Sequence, residues 1–318
     1  MVQLGYAISS EEFKPRQLVE NARRAEEVGF PYALISDHFH PWLDSQGESP
    51  FVWSVIGGIA QATTTLKLGT GVTAPIIRIH PVILAQAAAT AAAMMPDRFF
   101  FGVGTGEYLN EHITGEHWPV LSTRQDMLQE AVELIRLLWE GDYTTFDGLY
   151  YTVENARIYT LPENLPPIYV GASGKESGEL AGQIGDGLIS TAPDNETVDA
   201  FSQGGGLGKP KYGQMTVCWA EDERQAKDTA LRVWANSAIP GQLSQELALP
   251  LYFEQASQLV TTEKIAESVI CGPDPEPYHA KIKEYADAGF THVYIHQVGQ
   301  DQEGFFQFAQ KELLGTYS

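Results

Sequence analysis

The stretches AEEVGFPYALIS (25–36) and YADAGFTHVYIH (285–296) are two copies of one unit. Each ends a charged amphipathic helix, turns at Gly-Phe and enters a short apolar strand. Gly29 and Gly289 fall where a helix closes through a left-handed residue, a conformation glycine adopts without steric cost. A degenerate third copy is ELAGQIGDGLIS (179–190). A chain that repeats helix, turn and strand must cover its strands with its helices, which points to a parallel α/β architecture.

The pattern predicts eight strands, at 3–8, 32–35, 66–72, 98–104, 167–172, 186–191, 213–220 and 291–296, mostly followed by helices. Pro15 suits the first turn of a helix running to Glu27, and Pro81 starts an alanine-rich one. Helices are also expected over 51–63 and 122–139, the latter with an apolar stripe at Met127, Ala131, Leu134 and Leu138. Eight βα units over this length fit a TIM (β/α)8 barrel better than a doubly wound sheet. A barrel takes about 250 residues, so the 318 present leave room for insertions in a single domain spanning 1–318. The segment 143–160 alternates around Asp147-Gly148 and reads as a hairpin. The segment 239–262 reads as a lid-type insertion before the last strand, and Gln203–Pro210, with four glycines, as a loop. No linker separates two cores.

Composition narrows the partners. The net charge of −21 argues against nucleic acid or an anionic membrane. Cys218 and Cys271 have no metal spacing and read as reduced and structural. The start MVQLGYAISSEEF has neither a basic end nor an apolar signal core, and no apolar run reaches the ~20 residues that span a bilayer. A soluble, cytoplasmic protein acting on a small molecule is the expectation.

In a TIM barrel the chemistry sits at the C-terminal strand ends. The second strand ends in ISDHFHPW (35–42), where a buried run gives way to an acid, two imidazoles and an indole. The other strand ends bring Gly71, Val72 and Thr73; Thr105, Gly106, Glu107 and Asn110; GASG (171–174); Ser190 and Thr191; Cys218 and Trp219; and His296. An Asp at a strand end is often only a helix cap or turn former, and His40 and His296 read as structural as readily as functional. His38 with Glu107 and an adjacent Trp42 reads as functional. GVGTGE lacks the third glycine of a dinucleotide fingerprint. GASGKES opens a helix whose free N–H groups would favour a phosphate. No metal site is expected, because the HxH of His38 and His40 has no third ligand.

ISDHFHPW, LGTGVTAPIIRIHP (68–81), FFGVGTGEYLNE (100–111) and PIYVGASG resemble the luciferase-like TIM-barrel superfamily. More narrowly, they resemble its branch dependent on the deazaflavin coenzyme F420, which includes glucose-6-phosphate and secondary-alcohol dehydrogenases. The resemblance implies hydride transfer between the deazaflavin and a carbinol carbon, commonly in a homodimer. It implies that Asp37 and His38 flank the ring, with His38 taking the hydroxyl proton. Glu107 would serve the ring side, Trp42 would wall the substrate pocket and Glu11 would lie near the substrate. Gly71–Val72 would be a non-prolyl cis bond behind the ring. Thr105, Gly106 and Asn110 would contact the ring and ribityl chain, Ala172, Ser173 and Gly174 would hold the phosphate, and Ser190 and Thr191 would complete the cofactor site. A proton acceptor titrating near neutrality is what such a reaction needs, and histidine is one.

The sequence departs from the sugar-phosphate members at the residues that would grip phosphate. No Lys or Arg stands between Lys175 and Lys209, nor between Arg232 and Lys264; the aligned positions hold Asp194, Ser244 and Ser268. Asp194 in a cleft would repel a phosphate. The insertion offers Leu243, Leu247, Leu249, Leu251, Tyr252 and Phe253, with Trp234 and Gln245 as candidate pocket residues. The expected substrate is therefore a neutral, non-phosphorylated alcohol or sugar. The alternatives are a sugar phosphate bound by Lys175 or Arg78, a flavin (FMN) monooxygenase, and a cofactor-binding paralogue without turnover.

Overall fold

The computed structural model describes residues 2–239, 241 and 243–317. Eight parallel strands form the centre: β1 (Gln3–Ile8), β2 (Tyr32–Ile35), β3 (Lys67–Thr70), β4 (Phe99–Val103), β5 (Ile168–Gly171), β6 (Gly187–Ser190), β7 (Lys211–Cys218) and β8 (His292–Gln297). They pair in chain order, and the β8–β1 pairing closes the barrel. Outside it run α1 (Pro15–Val28), α2 (Val52–Ala62), α3 (Pro81–Met94), α4 (Leu121–Leu138), α5 (Lys175–Ile184), α6 (Asn195–Phe201), α7 (Glu223–Trp234), α8 (Pro275–Asp287) and α9 (Gln302–Phe308). No helix among the described residues is long and apolar enough to cross a membrane.

The repeated unit forms as its glycines require. α1 ends at Gly29 with φ +107°, and its N–H reaches the carbonyls of Ala25 and Glu26. Gly289 also has positive φ, at +91°. The degenerate third copy differs: Gly185 is extended at φ −99°.

Strand alternation sorts the core into two layers. Residues such as Leu4, Ile8, Ile35, Phe101 and Val293 face the helices. Ala7, Tyr32, Leu34, Phe100, Ile189, Tyr212 and Tyr294 fill the barrel. Tyr212 stacks between Phe100 and His292, with centroids 5.4 and 4.1 Å away, and plugs the N-terminal end. The interior can therefore open only at the C-terminal end.

Three peripheral features add to the barrel. Thr144–Asp147 and Thr152–Ala156 form an antiparallel hairpin. A short strand, Ile270–Cys271, extends the sheet beside β7. Gln203–Pro210 is not simply a loop, because Ser202–Gly206 continues α6 as a helical turn. There a Cβ on Gly204 would collide with the Glu179 carbonyl and one on Gly182 with the Phe201 carbonyl. The glycines let α5 and this turn pack backbone against backbone.

The described part of 239–262 holds two short helices, Leu243–Glu246 and Pro250–Ser257. Leu247 and Phe253 pack with Leu43, Leu109 and Ile239, roofing the loops after β2 and β4. Leu243, Leu249, Leu251 and Tyr252 are exposed. Of these apolar side chains only Ile239 lines the cavity at the C-terminal end of the barrel, so the insertion's leucines do not make that cavity apolar.

Candidate active site

A cavity of about 690 Å³ opens at the C-terminal end of the barrel. Its floor is the top of the interior core, with Ala7, Leu34, Ile189 and Tyr294.

The ends of β1 and β2 are laced together. Ser10 donates its N–H to Ser36 Oγ (2.9 Å) and its hydroxyl to Ser36 O (2.8 Å). Glu11 Oε2 accepts from the hydroxyls of Ser9 (2.8 Å) and Ser36 (2.9 Å). Its Oε1 lies 3.2 Å from His38 Nδ1, and the two side chains are 2% and 10% exposed. The contact lies off the hydrogen-bond axis, and Nδ1 has no other partner. Nε2 is thereby the ring nitrogen left for a ligand. Trp42 stands edge-on to the His38 ring with centroids 5.0 Å apart, and Phe253 backs Trp42 at 5.2 Å. Glu11, His38 and Trp42 all line the cavity.

Asp37 does not. Its side chain is fully buried, with Oδ2 accepting from Thr73 Oγ1 (2.7 Å) and Oδ1 from Arg78 Nη2 (2.9 Å). Arg78 Nε also lies 3.5 Å from Glu111 Oε1, and Arg78 N donates to Glu111 Oε2 (2.8 Å). This triad ties the loops after β2, β3 and β4 together beneath the site. Burial pushes Glu111 up to about 7, against the pull of the Arg78 N–H and guanidinium. Arg78 is thus committed to two carboxylates and is not available to a substrate phosphate.

The Gly71–Val72 peptide is cis, and both residues line the cavity. Val72 stands in space left by glycine: a Cβ on Gly104 would come within 2.7 Å of Val72 Cγ2. After β4, Thr105, Gly106 and Glu107 line the cavity. Gly106 has φ +69°, and a Cβ there would press on Glu111 Cγ at 2.9 Å. Asn110 does not line the cavity and acts as a brace. Its Oδ1 accepts from the N–H groups of Phe39 (2.8 Å) and His40 (3.1 Å), and its Nδ2 donates to Glu107 Oε2 (3.3 Å). His40 bonds Leu109 O through Nδ1 (2.9 Å) and stacks on His112, a structural role. Among the described residues no three His, Cys, Asp or Glu side chains group as metal ligands.

Ala172 and Ser173 line the cavity after β5, but Gly174 does not. Their N–H groups are not free, contrary to the phosphate-cradle expectation. Ala172 N donates to Ile189 O (2.9 Å), Ser173 N to Ser177 Oγ (3.0 Å) and Gly174 N to Thr197 Oγ1 (2.6 Å). The amides left for an anion are those of the first turn of α5, which has no capping side chain. Ser190 and Thr191 line the cavity after β6.

The far wall carries Trp234 and Gln245, as expected, together with Gln214, Thr216, Asn236 and Ser237. The signal for Gln214 and Thr216 was strand alternation: they share the inward face of β7 with Tyr212, while Met215 and Val217 face out. Ser244 and Ser268 line the cavity, but Asp194 does not. Asp194 caps α6, accepting from the N–H groups of Glu196 and Thr197, so it repels nothing in the site. Lys175 is exposed and outside the cavity lining. Among the described residues the carboxylate and imidazole lining groups are Glu11, His38, Glu107 and His296, with no Lys or Arg.

The family model for luciferase-like monooxygenases matches residues 1–292. The chain belongs to the luciferase-like family. Its curated relatives include F420-dependent glucose-6-phosphate dehydrogenases of Mycolicibacterium gilvum and Mycobacterium tuberculosis, 37% and 36% identical over 98% of this chain and 97% of each relative. An F420-dependent secondary alcohol dehydrogenase, solved in complex with an F420–acetone adduct, superposes with a TM-score of 0.93 at 31% identity, covering 100% of this chain and 99% of the other. The coenzyme F420-dependent tetrahydromethanopterin reductase of Methanopyrus kandleri covers this chain fully at a TM-score of 0.81 and 22% identity, a likeness of fold.

Proposed function

We propose that this luciferase-like protein is an F420-dependent oxidoreductase that moves a hydride between the deazaflavin and the carbinol or carbonyl carbon of a neutral, unphosphorylated alcohol or sugar. Coenzyme use follows the F420-dependent dehydrogenases that match nearly the whole chain. The substrate class is carried by one observation: a proton-accepting imidazole backed by a carboxylate lines a cavity with no lining Lys or Arg among the described residues. A phosphate dianion entering there would meet Glu11 and Glu107 without a countercharge.

The cavity suits a deazaflavin. Val72 and Ile189 offer an apolar shelf, Gly71, Gly104 and Gly171 let Leu34 and Val72 pack closely beneath it, and Thr105, Glu107, Ser190 and Thr191 would supply polar contacts to the ring. When bound, the deazaflavin supplies the carbon that takes or gives the hydride. His38 Nε2 takes the hydroxyl proton as the carbinol loses hydride, and returns it in the reverse direction. Glu11 stabilises the resulting imidazolium through Nδ1. Trp42 fixes the His38 ring and walls the substrate side. Glu107, its Oε2 set by Asn110, is the carboxyl available to hold a proton on the cofactor side.

Oxidised F420 mixed with the protein and then with isopropanol, glucose or glucose 6-phosphate tests this directly. Bleaching of the cofactor by a neutral alcohol or sugar, and not by the phosphate, is expected. Bleaching by glucose 6-phosphate alone would overturn the substrate class, and retention of FMN in place of F420 would overturn the coenzyme.

A further inference from the structure

Glu11 and Glu12 are consecutive, and each faces an imidazole from a neighbouring strand end. Glu11 meets His38 after β2. Glu12 meets His296 on β8, with Oε2 4.0 Å from Nε2 and side-chain exposures of 1% and 5%. Neither of these two atoms has a hydrogen-bond partner. The other Glu12 oxygen accepts from Gly299 N at 2.9 Å, and Trp234 stands edge-on to the His296 ring at 4.4 Å. His296 lines the cavity, and proton transfer at His38 makes no use of it.

Burial fixes which member of this pair carries the proton. Burial pushes Glu12 up to about 8, reinforced by the charge of Glu11 and opposed by the Gly299 N–H. Burial also holds His296 down at about 4. At neutral pH the pair is a carboxylic acid facing a neutral imidazole. The acid has a proton to give and Nε2 a lone pair to receive it, so closing the 4.0 Å gap by a turn of the carboxyl makes Glu12 the donor and keeps the ring proton on Nδ1. Because Nε2 is turned into the protein toward Glu12, Nδ1 is the nitrogen presented to the cavity. Around it the wall is polar and uncharged, with Gln214, Thr216, Asn236, Ser237 and Ser268.

We propose that His296, oriented by Glu12, is a specificity-determining residue that donates a hydrogen bond from Nδ1 to a substrate hydroxyl other than the reacting one, and that the substrate is a neutral polyol or sugar rather than a monoalcohol. This rests on the neutral-alcohol function given above. A monoalcohol leaves the donor and the polar wall without partners, and sites built to bond a hydroxyl discriminate strongly against ligands that lack it. Glu12 touches no substrate and is a positioning residue.

Propane-1,2-diol and propan-2-ol differ by one hydroxyl and give the cleanest comparison. In His296→Leu the ratio of kcat/KM for the diol over the monoalcohol falls about 10-fold or more. His296→Asn, which keeps an amide near the Nδ1 position, restores part of the ratio. Glu12→Gln keeps the ratio, because its amide donates to Nε2 in place of the acid, whereas Glu12→Leu lowers it. Equal losses on both alcohols, or a wild-type ratio near one, overturn the proposal. If His296→Leu does not fold, His296→Phe, which keeps a ring against Trp234, is read in its place. Glucose binding, followed by the fluorescence of Trp42 and Trp234, decides the matter if no neutral alcohol bleaches the cofactor. Quenching in the wild type that is lost in the variant upholds the role of His296 while the dehydrogenase function falls. Equal quenching in both, or none in either, overturns the proposal.

Discussion

Replacing Glu11 with glutamine keeps the shape of the site and removes one charge. The Glu11 oxygen stands 3.2 Å from His38 Nδ1. At an effective dielectric of about 20, two unit charges at that spacing attract by about 5 kcal/mol. That attraction exists only while His38 holds the proton taken from the substrate, so it acts on the transition state and hardly on the bound ground state. The hydroxyls of Ser9 and Ser36 already bond the other carboxylate oxygen, and they would reorient around the amide. Relaxation of this kind leaves about half the gross figure, about 2–3 kcal/mol, or about a 30- to 150-fold loss in kcat. The assay is single-turnover reduction of F420 by stopped-flow absorbance, with cofactor affinity measured separately by titration. Slowed reduction with unchanged affinity is expected. Wild-type reduction in Glu11→Gln would show that the carboxylate does not support His38 and would remove the pair from the mechanism.

His38→Ala is expected to bind F420 nearly as the wild type does and to lose about 100-fold or more in the reduction step; unchanged turnover excludes His38 as the base. Arg78→Met leaves Asp37 and Glu111 buried without their cation and should cost about 3–5 kcal/mol in urea unfolding, whereas a loss under about 1 kcal/mol would mean that the triad bears no load. Introducing Lys at Ser244 and Arg at Ser268, both on the cavity wall, should lower the KM for glucose 6-phosphate about 10-fold or more; no gain would show that missing countercharge is not what excludes the phosphate. The raised values of Glu12 (about 8) and Glu111 (about 7) mean that the folded protein keeps protons that the unfolded chain releases near 4.5, so the stability they contribute is lost as pH rises through those values. His296, held near 4 against 6.5 unfolded, runs the other way and is exhausted above 6.5; the unfolding free energy measured in urea should therefore fall between pH 6.5 and 8.5, by about 2 kcal/mol for Glu12 alone, and equal falls in wild type and Glu12→Gln would refute the assignment.

The barrel was legible because its signals are local. Gly29 and Gly289 announce left-handed helix ends, Pro15 and Pro81 start helices, and the apolar runs end abruptly in polar residues at the strand mouths. Glu11, His38, Trp42 and Glu107 could be grouped because a βα barrel brings every strand's C-terminal end to one rim. What sequence did not convey is where each side chain turns after the strand ends. Asp37 precedes His38 yet points beneath the site, because Thr73 and Arg78, far along the chain, satisfy it there. The amides of 172–174 look free in a Gly-Ala-Ser-Gly segment, but Ile189, Ser177 and Thr197 claim them. Asp194 was misread for want of a local test. Asp at the start of Asp-Asn-Glu-Thr is a helix cap by residue type alone, and that role turns its carboxylate away from the cavity. The insertion's leucines misled because periodicity separates apolar from polar positions without showing which apolar surface is roof and which is solvent-exposed.

The two glutamates after β1 show how such neighbours acquire different chemistry from the same side chain. β1 lies between β2 and β8 in the barrel, so residues leaving it can reach a histidine on either side. Glu11 faces two serine hydroxyls, one from its own turn and one just past the end of β2, and both donate to it. Glu12 receives one backbone N–H and leaves its second oxygen bare in a buried setting, which favours the protonated acid. One pair is thus arranged to accept a proton from the substrate, and the other to present an N–H to it. The difference lies in the number of donors around each carboxyl. Adding a donor beside the bare Glu12 oxygen should favour its carboxylate and move the His296 ring proton from Nδ1 to Nε2.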